Sequence, residues 1–292
     1  MQPDNKLTSG GQRLKGIRAE NTTELPLVTV VTAVFNGQPH VAECLESVLN
    51  QDYPNIEHII VDGGSTDGTL DILRSRQDRI ALWVSGSDCG VFDAWNKGLD
   101  LANGEWIAFL GADDIYLPEA ISTYVNLARN NPETEFLSSR AKLDHPTGYS
   151  PVFGGPWSWP RFGTTMSTIH VGSMHHRSLF ERFGRFNSTY RIAGDYEFML
   201  RAKDTLKTAF TPEVTVVMRA GGLSDSTAGL HEAKRAKVEN GIKPHWVAEL
   251  ELRRAITRFH VRQLYLKLRA ELISKSKSRG NFNGLRNLSS KE

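Results

Sequence analysis

A mostly parallel α/β sheet flanked by helices, with a helical C-terminal extension, is the fold this sequence predicts, on three observations. Four short apolar runs alternate with helix-period segments between Val28 and Pro118. Each of these segments is bounded by turns rich in Gly, Asn or Asp. From Arg253 onward the chain is strongly basic and its apolar residues recur at helical spacing. Strand and helix in strict alternation require parallel strands, because each returning helix packs on a face of the sheet.

The elements follow in order. Residues 1–24 are polar, contain Gly-Gly and show no periodicity, which predicts a disordered arm. Val28–Val34 is a continuous, largely β-branched run, as expected of a strand buried on both faces. After the turn signal Asn36-Gly37, the residues Val41, Cys44, Leu45, Val48 and Leu49 recur at helical spacing. A second strand over 56–61 ends in Asp62-Gly63-Gly64-Ser65-Thr66-Asp67-Gly68, and a helix begins near Leu70. A third strand spans 80–84, and Phe92, Trp95, Leu99 and Ala102 then form one helical face. The fourth, 106–110, runs into Gly111-Ala112-Asp113-Asp114 and a helix expected to carry Pro118 in its first turn. Beyond Phe136 the alternation stops. Residues 144–165 are rich in Pro, Gly and Trp and read as a long functional loop. Helices over Arg177–Phe183 and 195–202 and a strand around 214–218 complete the body.

At 292 residues the chain can bury a large α/β core without disulfides or structural metals. Its two cysteines, Cys44 and Cys89, have no zinc-like or disulfide-like spacing, which suits a reducing compartment. No charged-then-apolar leader is present, and no stretch approaches the roughly 18 apolar residues of a spanning helix, so a cytoplasmic protein is expected. The net charge of +2 hides an asymmetry. From Arg253 to the end there are 11 Lys/Arg against two acids, so the tail is strongly basic and the body acidic. A basic tail raises nucleic acid as a partner, but the sequence holds no nucleic-acid module, and none is expected.

In parallel sheets ligands bind beyond the carboxyl ends of strands, which is where Asp62, Asp113 and Asp114 fall. Read from the residues alone, each has two meanings. Asp113 and Asp114 either bind Mg2+ or Mn2+ with hard oxygen donors or cap the helix that follows. Asp62, among glycines that let a ligand approach the backbone, either accepts from a base or ribose or closes an Asx-turn. Asp195, in Ala-Gly-Asp-Tyr-Glu-Phe, is either a general base or an N-cap. His170, His175 and His176 match no zinc spacing.

Three segments taken together resemble glycosyltransferase family 2: Val31-Thr32-Ala33-Val34-Phe35-Asn36-Gly37, Val61-Asp62-Gly63-Gly64-Ser65-Thr66-Asp67-Gly68-Thr69, and Gly104-Glu105-Trp106-Ile107-Ala108-Phe109-Leu110-Gly111-Ala112-Asp113-Asp114. Gly90-Val91-Phe92-Asp93-Ala94-Trp95-Asn96-Lys97-Gly98 resembles a bacterial subgroup that builds surface polysaccharides such as exopolysaccharide, O-antigen or capsule. The resemblance implies a GT-A, Rossmann-like fold over residues 25–225, with a nucleotide-binding half (25–118) and an acceptor half (119–225); the charge and helical spacing beyond it mark a basic helical tail (226–292). It implies an inverting transferase that moves a sugar from a nucleotide diphosphate, most simply UDP, to a lipid-linked or oligosaccharide acceptor, with Mn2+ or Mg2+ as cofactor. By the same resemblance Thr32, Ala33, Val34, Asn36, Asp62, Asn96 and Asp113 bind the nucleotide, Asp113 and Asp114 the metal, and Asp195 is the catalytic base. Asp93, Lys97, His170, Gly222 and Ser224 are further donor or acceptor candidates. One departure stands out: the first aspartate of the Asp-x-Asp pattern is Gly111, which leaves the metal more dependent on phosphate and water.

Two other readings compete. A sugar-nucleotide nucleotidyltransferase would resemble a Gly-rich loop with Arg and Lys after the first strand, where this chain has Phe35-Asn36-Gly37-Gln38. A non-catalytic nucleotide-sugar-binding module would share the fold without turnover. In the tail, Val261, Leu264, Tyr265, Leu268 and Leu272 fall on one helical face, among Arg262, Lys267, Arg269, Lys275, Lys277 and Arg279, while Leu266 and Ile273 break the pattern. That face either docks on an anionic membrane at the inner side of the plasma membrane or packs on the body or on a second copy of the chain.

Overall fold

The computed structural model describes residues 8–146, 148–222 and 226–286, with side chains described as far as Arg269. The four predicted strands form β2 (Val28–Val34), β3 (Ile56–Asp62), β4 (Leu82–Ser85) and β5 (Trp106–Gly111), parallel and adjacent in the order β4-β3-β2-β5. Helices α1 (Val41–Leu49), α2 (Thr69–Ser75) and α3 (Val91–Leu101) provide the crossovers. Consecutive residues of β2 serve opposite layers: Val31 joins a core with Phe92 and Trp95 of α3, and Val30 one with Cys44 and Val48 of α1. Both faces are therefore covered, as the unbroken apolar run predicts.

The second half departs from the predicted pattern. After β5 the chain makes a short strand, β6 (Ile115–Tyr116), and α4 begins only at Ala120 (Ala120–Asn130), so Pro118 precedes the helix and is not in its first turn. Three strands extend the sheet: β7 (Phe136–Asp144), β9 (Ser173–His176) and β10 (Thr208–Arg219), in the order β5-β9-β7-β10-β6, with β8 (Val152–Phe153) on β7. Periodicity missed β7 because the buried Ser138 and Ser139 interrupt its apolar run after Phe136 and Leu137. Ser139 is fully buried, yet its hydroxyl lies 2.8 Å from that of Tyr124 and 2.6 Å from that of Thr215. A hydrogen-bonded hydroxyl can be buried at little cost. The Trp-rich segment holds a short helix, α5 (Trp159–Phe162), and Trp157 packs on Phe162 with ring centroids 4.2 Å apart. Helices α6 (Arg177–Phe183) and α7 (Gly194–Ala202) complete the body.

One boundary needs correction. The arm is not disordered from residue 8 to 16: β1 (Thr8–Gly10) pairs antiparallel with β4, and a 3-10 turn follows at Gln12–Lys15. Backbone hydrogen bonds to the sheet edge, which composition does not reveal, hold it there. The tail packs against the body. Helix α8 (Thr227–Glu239) packs on α7, and its Ala236 is wholly buried in the core under α3 and α7. Helix α9 (His245–Arg286) packs back on α8, burying Ala248, Leu252 and Leu266. Among the described residues no helix is long and apolar enough to cross a membrane.

Gly98 sets the distance between α3 and the sheet: a Cβ there would lie 2.2 Å from Cγ1 of Val31. Gly98→Ala should therefore cost about 1–3 kcal/mol of stability through overpacking. A urea midpoint equal to that of wild type would show that α3 has room to move.

Candidate active site

Register aligns the carboxyl ends of the parallel strands. Val34 pairs with Asp62, Asp62 with Ser85, and Ala33 with Gly111. Asp62 and Gly111 thus stand two strand spacings apart, about 10 Å, with β2 between them. The loops above this row are tied together. Asn36, at a φ of 49°, donates its N–H to Ser65 Oγ (2.7 Å) and accepts from the Thr66 N–H (2.9 Å). The N–H groups of Gly37 and Gln38 reach Thr69 Oγ1 and Asp67 Oδ2, each at 2.9 Å.

Several residues expected at the nucleotide are also bound into this scaffold. Asp62 is 1% exposed, and its carboxylate accepts from the Gly64 and Ser65 N–H groups (3.0 Å each) and from the hydroxyls of Ser65 and Ser85. It closes the loop, as the Asx-turn reading has it. Thr32 is wholly buried with its hydroxyl 3.0 Å from His58 Nε2, and Val34 is buried beneath the rim, while Ala33 is half-buried. Asn96 exchanges two hydrogen bonds with the Phe186 backbone (2.8 and 3.0 Å), which pins that loop to α3. Asp93 accepts from the Cys89 N–H (2.9 Å), which holds its carboxyl below the usual range, and pairs with Lys97, whose ammonium also donates to Ser87 O. His170 is a core residue stacked on Phe109 at 5.4 Å and beside Trp95 at 4.8 Å; burial drives its pKa well below the ordinary value, so it stays neutral. Gly222 lies in the turn after β10, half-exposed, and Ser224 lies outside the described residues.

The carboxylates at the end of β5 behave differently. Neither caps α4, whose N-cap position is Glu119. The oxygens of Asp114 and Asp113 instead converge over Gly111, 2.7 and 2.9 Å from where a Cβ would sit. Burial first, and then the neighbouring Asp113 charge, push the Asp114 carboxyl up to about 7. Two hard donors with mutual repulsion suit a divalent cation, although no three metal-ligating side chains cluster among the described residues. Arg219, from β10, donates to Asp113 O (3.3 Å) and pairs with Glu43, bringing the end of β10 beside this turn.

Asp195 is not an N-cap: α7 begins at Gly194, its N-cap position is Ala193, and no side chain of the cap residue satisfies it. Its carboxyl, half-buried in the first turn, lines a cleft of about 440 Å3 with Thr164, Met166 and Tyr196, walled by α8 and α9. Asp113 and Asp114 do not line this cleft. Burial pushes the Asp195 carboxyl up to about 6, with the Glu232 charge adding to the effect. Helix α3 connects the two regions. Gly194 packs on the Phe92 ring and the Arg191 guanidinium lies over Gly90, each so close that a Cβ on the glycine would be 2.7 Å from it.

Residue pattern alone did not single out three further groups. Phe35 is 65% exposed at the rim directly after β2, and an aromatic in a turn following a buried run is the available signal. Asp88 accepts from the Gly90 N–H (2.8 Å) and faces Gly63; its position just past the third strand is the clue. Glu232 carries no local signal, since it acts across the fold.

Residues 29–193, more than half of the chain, match Glycosyl transferase family 2. A "PGL/p-HBAD biosynthesis glycosyltransferase" of Mycobacterium bovis BCG is 28% identical over 218 residues, covering 72% of this chain and 84% of the relative. An uncharacterised glycosyltransferase of Mycobacterium tuberculosis is 33% identical over 185 residues, covering 62% and 70%. Among solved structures, S. aureus TarS 1–349 in complex with UDP-GlcNAc has a TM-score of 0.61 at 18% identity, covering 77% of this chain and 70% of that one. The mannosyltransferase PcManGT of Pyrobaculum calidifontis, with GDP-Man and Mn2+, has a TM-score of 0.56 at 19% identity, covering 95% and 88%. Matched family segment, sheet order and shared GT-A fold agree: the chain belongs to glycosyltransferase family 2, inverting enzymes that use nucleotide-diphosphate sugars.

Proposed function

We propose that the chain transfers a sugar from a UDP-sugar to a hydroxyl of a lipid-linked or oligosaccharide acceptor in bacterial surface-polysaccharide assembly, with Asp195 as the base. The observation that carries this is Asp195 itself, freed from capping and facing a cleft with its carboxyl raised to about 6. A base poised near the working pH accepts a proton most effectively. The acceptor O–H gives its proton to Asp195 as its oxygen bonds to the anomeric carbon. The bond from that carbon to the diphosphate oxygen breaks on the opposite side, UDP leaves with the electron pair, and the configuration inverts. UDP as the nucleotide is supported by the UDP-GlcNAc complex of TarS, and the biosynthetic setting by the name of the mycobacterial relative.

The donor lies over the β2 and β5 ends, with Phe35 stacking on the base and the linked Asn36 and Asp88 loops around it. Asp62 keeps the loop in shape. Asp113 and Asp114 would hold Mn2+ or Mg2+, and a bound cation neutralises the charge that develops on the departing diphosphate. The Mn2+ of PcManGT supports this assignment. Gly222 and Ser224 keep the donor-phosphate role that the family resemblance gives them.

Helix α9 suggests where the enzyme works. Its inner stripe (Ala248, Leu252, Leu266) is buried, which accounts for Leu266 falling outside the amphipathic pattern. Its outer stripe is largely exposed: Trp246 is 73% exposed, and Val261, Leu264, Tyr265 and Leu268 are each more than half exposed, with Tyr265 meeting the Tyr149 ring edge-on at 6.4 Å. Arg253, Arg254, Arg258 and Lys267 are exposed along the same helix. An apolar stripe flanked by cations fits the interface of an anionic leaflet, each Lys/Arg near the surface adding about 1 kcal/mol. The side chains of Leu272, Ile273, Lys275, Lys277 and Arg279 lie outside the described ones.

Three outcomes are expected. The kcat/KM should rise about tenfold per pH unit below 6 and level off above it, because only ionised Asp195 takes the proton. Asp195→Asn should abolish this limb and cut kcat with UDP affinity unchanged; an unaltered profile in the mutant would remove Asp195 from the chemistry. Asp113→Ala should lower kcat by about 100-fold, by analogy with other lost electrostatic stabilisers, with Mn2+-dependent UDP binding weakened in calorimetry. Activity unaffected by EDTA would refute the metal site. Finally, the full chain should co-sediment with phosphatidylglycerol vesicles in a salt-sensitive way, and Leu264→Asp/Leu268→Asp should abolish this without lowering Tm. Equal binding to neutral vesicles, or a monomer appearing from a wild-type dimer in that variant, would assign the stripe elsewhere.

A further inference from the structure

The loop that delivers Asp195 is held from outside the family-matched segment. Residues 190–193 lead into α7, and its N-cap residue, Ala193, has no side chain with which to cap it. Instead Glu232, on α8, reaches across. Its Oε1 accepts from the Arg191 N–H (2.9 Å), and its Oε2 accepts from the N–H groups of Arg191 (3.1 Å), Ile192 (2.8 Å) and Ala193 (2.8 Å). Three successive backbone donors converging on one carboxylate form an anion nest at a helix entrance, where the helix dipole also favours negative charge. On its other side the loop is pressed against α3, through Arg191 over Gly90 and Gly194 on Phe92. It is therefore gripped between α3 and α8, and Asp195 follows two residues after the last N–H that Glu232 holds.

We infer that Glu232 is a positioning residue for glycosyl transfer: it sets the backbone from which the Asp195 carboxylate faces the acceptor cleft. This rests on the reading of Asp195 as the base. The same grip places the Arg191 side chain at the N-terminal end of α3, so one carboxylate organises both ends of the loop. The neighbours do not substitute for it. Of the charged groups lining the cleft, Lys237 is paired with Glu251 (2.5 Å) and Lys234 with Glu249 (2.8 Å), while Arg254 and Arg258 are exposed on α9. Glu232 is the acid whose charge bears on Asp195, disfavouring its ionised form. Family members that end near α7 would need another acid for this task.

The test compares Glu232→Ala, Glu232→Gln and Asp195→Asn in the full chain. UDP release from UDP-sugars is measured against pH, and amide exchange at Arg191, Ile192 and Ala193 by NMR. Glu232→Ala should lose protection at those three amides and drop kcat about ten- to hundredfold, the size of a misplaced catalytic group, with donor KM unchanged. Glu232→Gln keeps an acceptor oxygen without the charge. It should retain more of the rate, yet move the acidic limb of the profile to lower pH, because the charge that opposed Asp195 ionisation is gone. A merely structural residue would move Tm but not that limb. Wild-type rate and limb in folded Glu232→Gln, or in Glu232→Ala with its amides exposed, would overturn the inference. Full activity of Asp195→Asn would instead sink the reading of the base and leave the grip on the loop as a separate, measured fact.

Discussion

Everything at the site depends on the in-register pairing of β2 with β3 on one side and β5 on the other. That register puts Asp62, Ala33 and Gly111 in one row. Because a strand's side chains alternate, a slip of one residue would turn the whole rim over. The buried hydroxyls of Thr29 and Thr32 oppose such a slip, since it would carry them away from Glu57 and His58, their partners on β3. Stability and site geometry are the same constraint here, and the loops above the row add only local ties such as Asn36 to Ser65.

Three acids on this framework show how environment divides labour among chemically identical groups. Asp62 is more deeply buried than Asp195, and four hydrogen bonds engage its carboxylate in shaping a turn. Asp114 is buried beside another carboxylate, and both effects push it toward neutrality. Asp195 has burial and the Glu232 charge acting in one direction, and two backbone N–H groups, those of Tyr196 and of Asp195 itself, acting in the other. Asp62 thus has its carboxylate filled by partners within the fold, while Asp114 and Asp195 have fewer.

The C-terminal helices change how the site is bounded. Helix α8 contributes Ala236 to the core, Glu232 to the loop before Asp195 and, with α9, a wall of the cleft. The helix that meets a membrane surface in our proposal is therefore the one that borders the acceptor cleft, so docking and acceptor entry would be coupled by geometry.

The first half of the fold was legible in the sequence because its strands are apolar on both faces and its turns are marked by Gly, Asn and Asp. Helix period also gave α6 and α7 almost to the residue. The strands β7 and β9 were not legible, because buried serines and histidines replace the apolar pattern there, and their partners lie far along the chain. Motif likeness located the Asp113–Asp114 turn and Asp195, since those positions depend on local chain. It could not separate ligand-facing residues from scaffold: Asp62, Asn96, Asp93 and His170 have suitable chemistry, and only their tertiary partners show it to be already engaged. Sequence thus determined the family, the sheet and the short stretches to which we assign the chemistry. Tertiary structure decided which carboxylates are left free and brought Glu232 to the Asp195 loop, because hydrogen-bond partners some 40 residues apart leave no periodic trace.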